Sequence, residues 1–164
     1  MPKGEIFGTY YGEYASPVGK LLLASDGESL TGLWMDREAP EKTGEVPVLT
    51  GTRQWLDAYF RGENPPVSAI PLAPAGTAFQ RKVWDILLGI PYGRTRTYGD
   101  IARERAALLG KEKMSAQAVG GAVGSNPISI LIPCHRVVGA NGQLTGYAWG
   151  LEKKEWLLRH EGWL

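Results

Sequence analysis

The sequence has little of what builds a disulfide framework or a metal centre: one cysteine, Cys134, and two histidines, His135 and His160, in 164 residues. A single cysteine closes no internal disulfide and supplies no multi-thiolate zinc site. The longest apolar runs fall well short of a membrane span, which excludes a helical membrane protein. Met1-Pro2-Lys3-Gly4 leads into no apolar signal core, and a free thiol suits a reducing compartment, so a cytoplasmic location is expected. There is no internal repeat, no low-complexity segment and no compositional sign of disorder.

The net charge of +1 hides an uneven distribution. Residues 1–76 hold six Lys/Arg against ten Asp/Glu, whereas residues 77–164 hold twelve against seven. An acidic half followed by a basic half points to an anionic partner for the second, nucleic acid among the choices, or to a chance excess on a solvated face.

The first half reads as β structure. Thr9 to Tyr14, Lys20 to Ser25 and Leu30 to Met35 are predicted strands, separated by turn signals at Ser16-Pro17-Val18-Gly19 and Asp26-Gly27. Residues 36–50 read as a loop, and a helix is predicted from Thr52 with Trp55, Leu56, Tyr59 and Phe60 on one face and Gly62 as its stop. Residues 63–76, with four prolines, read as a linker dividing domains 1–76 and 77–164.

The second half reads as mostly helical. Thr77-Ala78-Phe79-Gln80 has capping-box spacing ahead of Val83, Trp84, Leu87 and Ile90. Thr97 is expected to cap a helix reaching about Leu109, with Ile101, Ala102 and Leu108 facing inward. A short helix comes next, from about Ser115 to Val123, and the pair reads as a helix-turn-helix. Asn126-Pro127 breaks the chain before the apolar run Ile128–Ile132, Asn141-Gly142 marks a tight turn, and a last helix spans about Leu151 to His160. Gly120 and Gly121 lie inside the second short helix, where each glycine costs roughly 1 kcal/mol relative to alanine. Close approach to another surface would offset that cost. The surface is either a neighbouring helix or a nucleic-acid groove.

Cys134 sits between the apolar run and His135-Arg136, a setting expected to lower its pKa. The thiolate is the nucleophilic form, so such a site suits alkyl or acyl transfer. A lone cysteine is also often just a small buried hydrophobe, and from these residues alone both readings stand.

The wider motif set resembles the O6-alkylguanine-DNA alkyltransferases. Pro133-Cys134-His135-Arg136-Val137 is similar to their active-site signature. Phe79-Gln80-Arg81-Lys82-Val83-Trp84, Ile90-Pro91-Tyr92-Gly93, Thr97-Tyr98-Gly99-Asp100-Ile101-Ala102, Ala118-Val119-Gly120-Gly121-Ala122, Asn126-Pro127 and Glu155-Trp156-Leu157-Leu158 match the family in order and spacing. The resemblance covers roughly residues 77–162. It implies an α/β fold: an N-terminal RNase H-like half with a small antiparallel sheet and helix, and a C-terminal winged-helix-like domain.

The resemblance further implies single-turnover repair. The protein would bind duplex DNA from the minor groove, flip out an O6-alkylguanine (and, secondarily, an O4-alkylthymine), and take the alkyl group on Cys134, acting as a monomer without cofactor or metal. By the same resemblance His135 is a base acting through water, which suits adjacent side chains of an extended segment pointing to opposite faces. Glu161 orients His135, Asn126 ties the active-site turn, and Tyr98 donates to guanine N3. Tyr147 and Trp149 wall the pocket, and backbone groups of Cys134, Val137 and Ala148 meet the guanine edge. Arg136 is expected to be structural or phosphate-facing. Ser115, Gln117, Ala118, Gly120 and Gly121 would lie against DNA, with Arg94, Arg96, Lys111 and Lys113 on phosphates.

The chain also departs from the family. Gln117 stands where many members place an arginine that fills the gap left by the flipped base, and glutamine lacks its charge and planar cation. Trp149 is bulky at a rim position often small elsewhere, so large O6 substituents should be excluded. Residues 1–76 contain neither Cys nor His, so the structural zinc of some members has no ligands there. Two other classes remain in view: a Cys-His hydrolase, which would turn over and need an oxyanion hole, and a non-catalytic alkylated-DNA-binding module, which would stay unmodified.

Overall fold

The computed structural model describes residues 9–110 and 114–164. The chain divides into two compact units, one ending at Pro74 and one running from Ala75 to Leu164.

In the first unit, β1 (Tyr10–Ser16), β2 (Gly19–Ser25) and β3 (Leu30–Met35) form an antiparallel sheet in that order. Tyr14 pairs with Leu21 across the first turn, and Leu23 with Leu33 across the second. The central strand is buried continuously from Leu21 to Ser25; in the edge strands, Gly12 is buried in β1 and Leu30, Gly32, Leu33 and Met35 are buried in β3. Helix α1 (Pro47–Phe60) lays Leu49, Trp55, Leu56 and Tyr59 into this core.

Helix α1 begins earlier than the sequence suggests. Pro47 reads as a loop residue, yet its fixed φ and missing N–H suit the first helical position, which it occupies. The proline-rich stretch is more than a linker. Leu30 and Leu72 form a parallel bridge, Trp55 Nε1 donates to the Pro66 carbonyl, and Ile70 is buried.

The second unit is helical. Thr77 and Thr97 each make a complete capping box, opening α2 (Ala78–Leu88) and α3 (Tyr98–Leu108). Ser115 caps α4 (Ala116–Gly124) through Ala118 N. Trp84 of α2 packs fully buried and donates its indole N–H to the Ala122 carbonyl of α4 at 2.8 Å. The inward face of α3 is Ile101, Ala102, Arg105 and Ala106. Leu108, expected inside, is 66 % exposed, because the buried stripe ends at Ala106.

Two short strands position the chemistry. Arg96–Thr97 (β4) pairs in parallel with Val137–Val138 (β5), Arg96 opposite Val137 and Thr97 opposite Val138. β4 runs directly into α3, whose first residue is Tyr98, and β5 directly succeeds the Cys134–Arg136 turn. The ladder therefore brings the start of α3 and the signature cysteine to one place. α5 (Leu151–His160) closes the unit with Leu157 and Leu158 in the core. Among the described residues, no helix is long and apolar enough to cross a membrane.

Candidate active site

A cavity of about 150 Å³ opens on Cys134. Tyr98 comes from α3, and Gly120, Val123 and Gly124 come from α4. Asn126 and Ser129 line it from the turn behind, and residues 146–149 from the segment before α5.

Asn126 shapes that turn. Its Nδ2 donates to the Ile132 carbonyl at 2.8 Å and its Oδ1 accepts from Ile128 N at 2.9 Å. The span it brackets contains Ile130 at φ +71°, a left-handed conformation that a β-branched side chain resists. A local cost of about 1–3 kcal/mol persists only where the surroundings over-determine the backbone, and the Asn126 brace with four buried neighbours does so.

Cys134 is buried, with its backbone N–H donating to the Ile132 carbonyl at 2.8 Å. Cys134, His135 and Arg136 form one 3₁₀ turn, not the extended segment expected from the sequence. Proline at 133 and the short-range bonds of the turn explain the difference. The thiol pKa is likewise raised, not lowered. Burial dominates, opposed by the Asn126 amide, the Lys154 ammonium and the Tyr147 hydroxyl. The resting group is a neutral thiol.

His135 is wholly buried, with Nε2 at 2.7 Å from Glu161 Oε2. Burial holds the imidazole pKa below its ordinary value, against the pull of Glu161. Burial also pushes the Glu161 carboxyl upward, but hydrogen bonds and charge from His135 and Arg136 outweigh it and hold the acid well below the carboxylate range. An ionised carboxylate only accepts, so the Nε2 facing it carries the proton. The remaining nitrogen, Nδ1, then presents a lone pair, and it is buried with no protein partner.

Glu161 is itself clamped by donors that the sequence does not advertise. Arg136 Nε meets Oε1 at 2.8 Å, Arg136 Nη2 meets Oε2 at 3.0 Å, and Gly93 N meets Oε1 at 3.1 Å. Arg136 Nη1 donates to the Ile90 carbonyl at 2.7 Å, and its guanidinium lies 5.7 Å from the Tyr92 ring centre. Ile90-Pro91-Tyr92-Gly93, legible as a helix stop, is thus the seat of the clamp. Gly93 has φ +78°, and a Cβ there would lie 3.0 Å from the Glu161 carbonyl, so only glycine fits. Arg136 is structural, and a phosphate-facing role is excluded by its burial.

Lys154 is the clearest residue that sequence reasoning missed. It is fully buried on α5, and its ammonium donates to the carbonyls of Thr145 at 2.7 Å and Gly146 at 3.0 Å. Burial pulls its pKa down to about 8, against the influence of Cys134. The signal was its position on the face of α5 that carries Leu157, Leu158 and Glu161. The Tyr98 hydroxyl shares the Thr145 carbonyl at 3.5 Å, and its ring lies 6.0 Å from the Lys154 ammonium.

Tyr147, Ala148 and Trp149 line the cavity, and Trp149 Nε1 donates to Ser129 Oγ at 2.9 Å. Val137 is fully buried in β5, so its side chain belongs to the core. Ser115, Gln117 and Ala118 are exposed on α4. Arg94 is exposed, whereas Arg96 is engaged with Glu104 and the Asp100 carbonyl. Lys111 and Lys113 lie outside the described residues. Among the described residues no group of three His, Cys, Asp or Glu is placed to hold a metal ion.

Packing among the described residues does not explain the glycines of α4. A Cβ on Gly121 or Gly124 would meet nothing within 4 Å, and one on Gly120 would make only ordinary contact with Tyr98 at 3.9 Å.

Known proteins carry the same pattern. Residues 78–163 match the DNA binding domain of 6-O-methylguanine DNA methyltransferase, and residues 9–74 match its ribonuclease-like domain. A methylated-DNA–protein-cysteine methyltransferase of Haemophilus influenzae is 48% identical over 93% of this chain and 86% of its own length. The enzyme of that name from Methanosarcina acetivorans is 48% identical over 93% of this chain and 98% of its own. Among solved structures, Mycobacterium tuberculosis OGT in complex with DNA superposes with a TM-score of 0.80 at 43% identity, covering 93% of this chain and 92% of that one. With both halves of the sequence matched in order, and the signature cysteine set in the buried His-Glu clamp, this chain belongs to the 6-O-methylguanine DNA methyltransferase family.

Proposed function

We propose that this protein repairs duplex DNA by direct reversal, moving the alkyl group of O6-alkylguanine, methyl above all, to Cys134 once per molecule. The observation that carries the reading is the site itself. A buried neutral thiol lines the cavity, and the next residue is a neutral imidazole with a free lone pair, paired on its other nitrogen with an ionised carboxylate. Beside that cavity lies a helix whose Gly121 and Gly124 no packing contact among the described residues requires.

Those states dictate the chemistry. An O6 atom stacked in a duplex is out of reach, so the base is flipped into the cavity. The bare face of α4 enters the minor groove, and exposed Gln117 fills the gap that the base leaves. The Cys134 proton passes through a bridging water to His135 Nδ1, and Glu161 stabilises the imidazolium. Sγ attacks the alkyl carbon in line. The C–S bond forms, the C–O6 bond breaks, and its electron pair stays on guanine. Tyr98 leaves the Thr145 carbonyl and donates to guanine N3, which makes the base a better leaving group. The proton lost by the thiol balances the one that repaired guanine must gain. The thioether is not hydrolysed, so the protein is consumed.

Lys154 keeps the 145–146 carbonyls in place while Tyr98 is engaged with the base. Arg94, which is exposed, serves a phosphate.

The test is intact mass and peptide mapping after mixing with excess duplex carrying one O6-methylguanine. One methyl on Cys134, saturating at one per molecule and absent from Cys134→Ala, is expected. Stable DNA binding without mass gain would indicate a damage-binding module, and turnover of an ester without mass gain would indicate a hydrolase.

A further inference from the structure

Three buried side-chain polar atoms among the described residues have no hydrogen-bond partner: Arg105 Nε, His135 Nδ1 and the Tyr147 hydroxyl. The second is the base nitrogen of the proposed relay. Arg105 stacks over the Phe79 ring, 5.6 Å from its centre, and lines no part of the cavity. Tyr147 is different, because it lines the cavity together with Cys134.

A buried hydroxyl without a partner costs about 1–3 kcal/mol, and phenylalanine would fill the same wall without that cost. A pocket wall alone therefore does not account for a tyrosine. The neighbouring atom whose accepting power changes during the reaction is the Cys134 sulfur. A neutral thiol is a weak acceptor, and a thiolate is a strong one.

We propose that the Tyr147 hydroxyl is a catalytic hydrogen-bond donor to Cys134 Sγ, idle in the resting thiol and engaged as the proton leaves. The proposal rests on the alkyl-transfer reading and gives that site a further working residue.

The surrounding groups fit. Tyr98 from α3, Lys154 from α5, His135 and Arg136 of the cysteine turn, and Glu161 beyond α5 are the titratable or charged groups around this sulfur and phenol. Burial, with Cys134 and Glu161 adding, holds the Tyr147 phenol well above its ordinary pKa. It keeps its proton throughout and acts only as a donor. The thiol proton goes to His135, the C–S bond replaces the C–O6 bond, and the contact lapses at the thioether, a weak acceptor.

The signature has two signs. A hydrogen bond to thiolate raises the ionised fraction but lowers its nucleophilicity, with a Brønsted coefficient of about 0.4–0.5. Tyr147→Phe should therefore raise the Cys134 pKa by about one unit or more, as expected for a bond to a charged group. Transfer from O6-methylguanine duplex should slow by about threefold to tenfold at pH below that pKa, and should match or exceed wild type on the alkaline plateau.

The experiment is single-turnover methyl transfer across pH for wild type and Tyr147→Phe, with the thiolate titrated by ultraviolet absorbance against Cys134→Ser. Thermal unfolding of each protein accompanies it. The crossing profiles, the raised thiol pKa and an undiminished melting temperature are expected. Superimposable profiles, or equal slowing at every pH with a lowered melting temperature, would overturn the role. If wild type itself gained no methyl, the underlying reading would fail instead.

Discussion

Replacing Gly121 by alanine should make the free protein more stable and its repair reaction slower. Gly121 lies inside the nine-residue helix α4 and is exposed. The added Cβ meets no atom within 4 Å, so no steric cost offsets the gain in helix propensity. That gain is about 1 kcal/mol, which corresponds to about 2–4 °C in melting temperature for a chain of this size. Against DNA the sign reverses. An extra methyl in a closely packed contact costs about 1–3 kcal/mol, or roughly fivefold to 150-fold in affinity. Thermal unfolding without DNA and single-turnover kinetics on O6-methylguanine duplex read the two effects separately. A destabilised free protein would return the glycine to an intramolecular role. A stabilised protein with unchanged affinity for duplex would show that α4 does not press into the groove.

Glu161→Gln should slow transfer by about 10²–10⁴-fold, the usual worth of a positioned base, and cost about 3–5 kcal/mol of stability by leaving the buried Arg136 charge unbalanced. Because the folded Glu161 pKa is depressed from 4.5, its contribution is fully present above that value and is lost as pH falls through the folded value. Wild type should therefore lose stability over that acid range and the variant should lose less, measured by urea titration at several pH values. Trp149→Gly should leave methyl transfer within about threefold and speed benzyl transfer by about tenfold or more, since the indole pinned to Ser129 walls the cavity. Unchanged selectivity in a comparison of the two substrates would remove that wall from the specificity argument.

Much of the fold was legible because its signals are local. The capping boxes at Thr77 and Thr97 need only four consecutive residues each. The span of α5 is set by its apolar spacing and the glycines that flank it. Pro47 misled because proline signals both a loop and a helix start, and the residues C-terminal to it decide between the two. Cys134, His135 and Glu161 could be named from the motif set, but their electrostatic states could not. The thiol is raised by burial, which local sequence does not reveal. The Glu161 clamp joins Gly93 and Arg136 across 68 and 25 residues of sequence, a distance no local pattern spans. Lys154 was hidden because a lysine on a helix reads as solvent-facing, although its place on the Leu157-Leu158 face contradicted that.

The neutral, buried state of Cys134 bears on how the protein ages before use. Peroxide oxidises thiolates far faster than thiols and prefers exposed sulfur. With one cysteine in the whole sequence, no second thiol of the chain stands by to reduce a sulfenic acid back through an internal disulfide. A permanently ionised Cys134 would be drained by ordinary oxidants between lesions. Holding the proton until a flipped base arrives keeps each molecule chemically silent, so its one reaction is reserved for DNA.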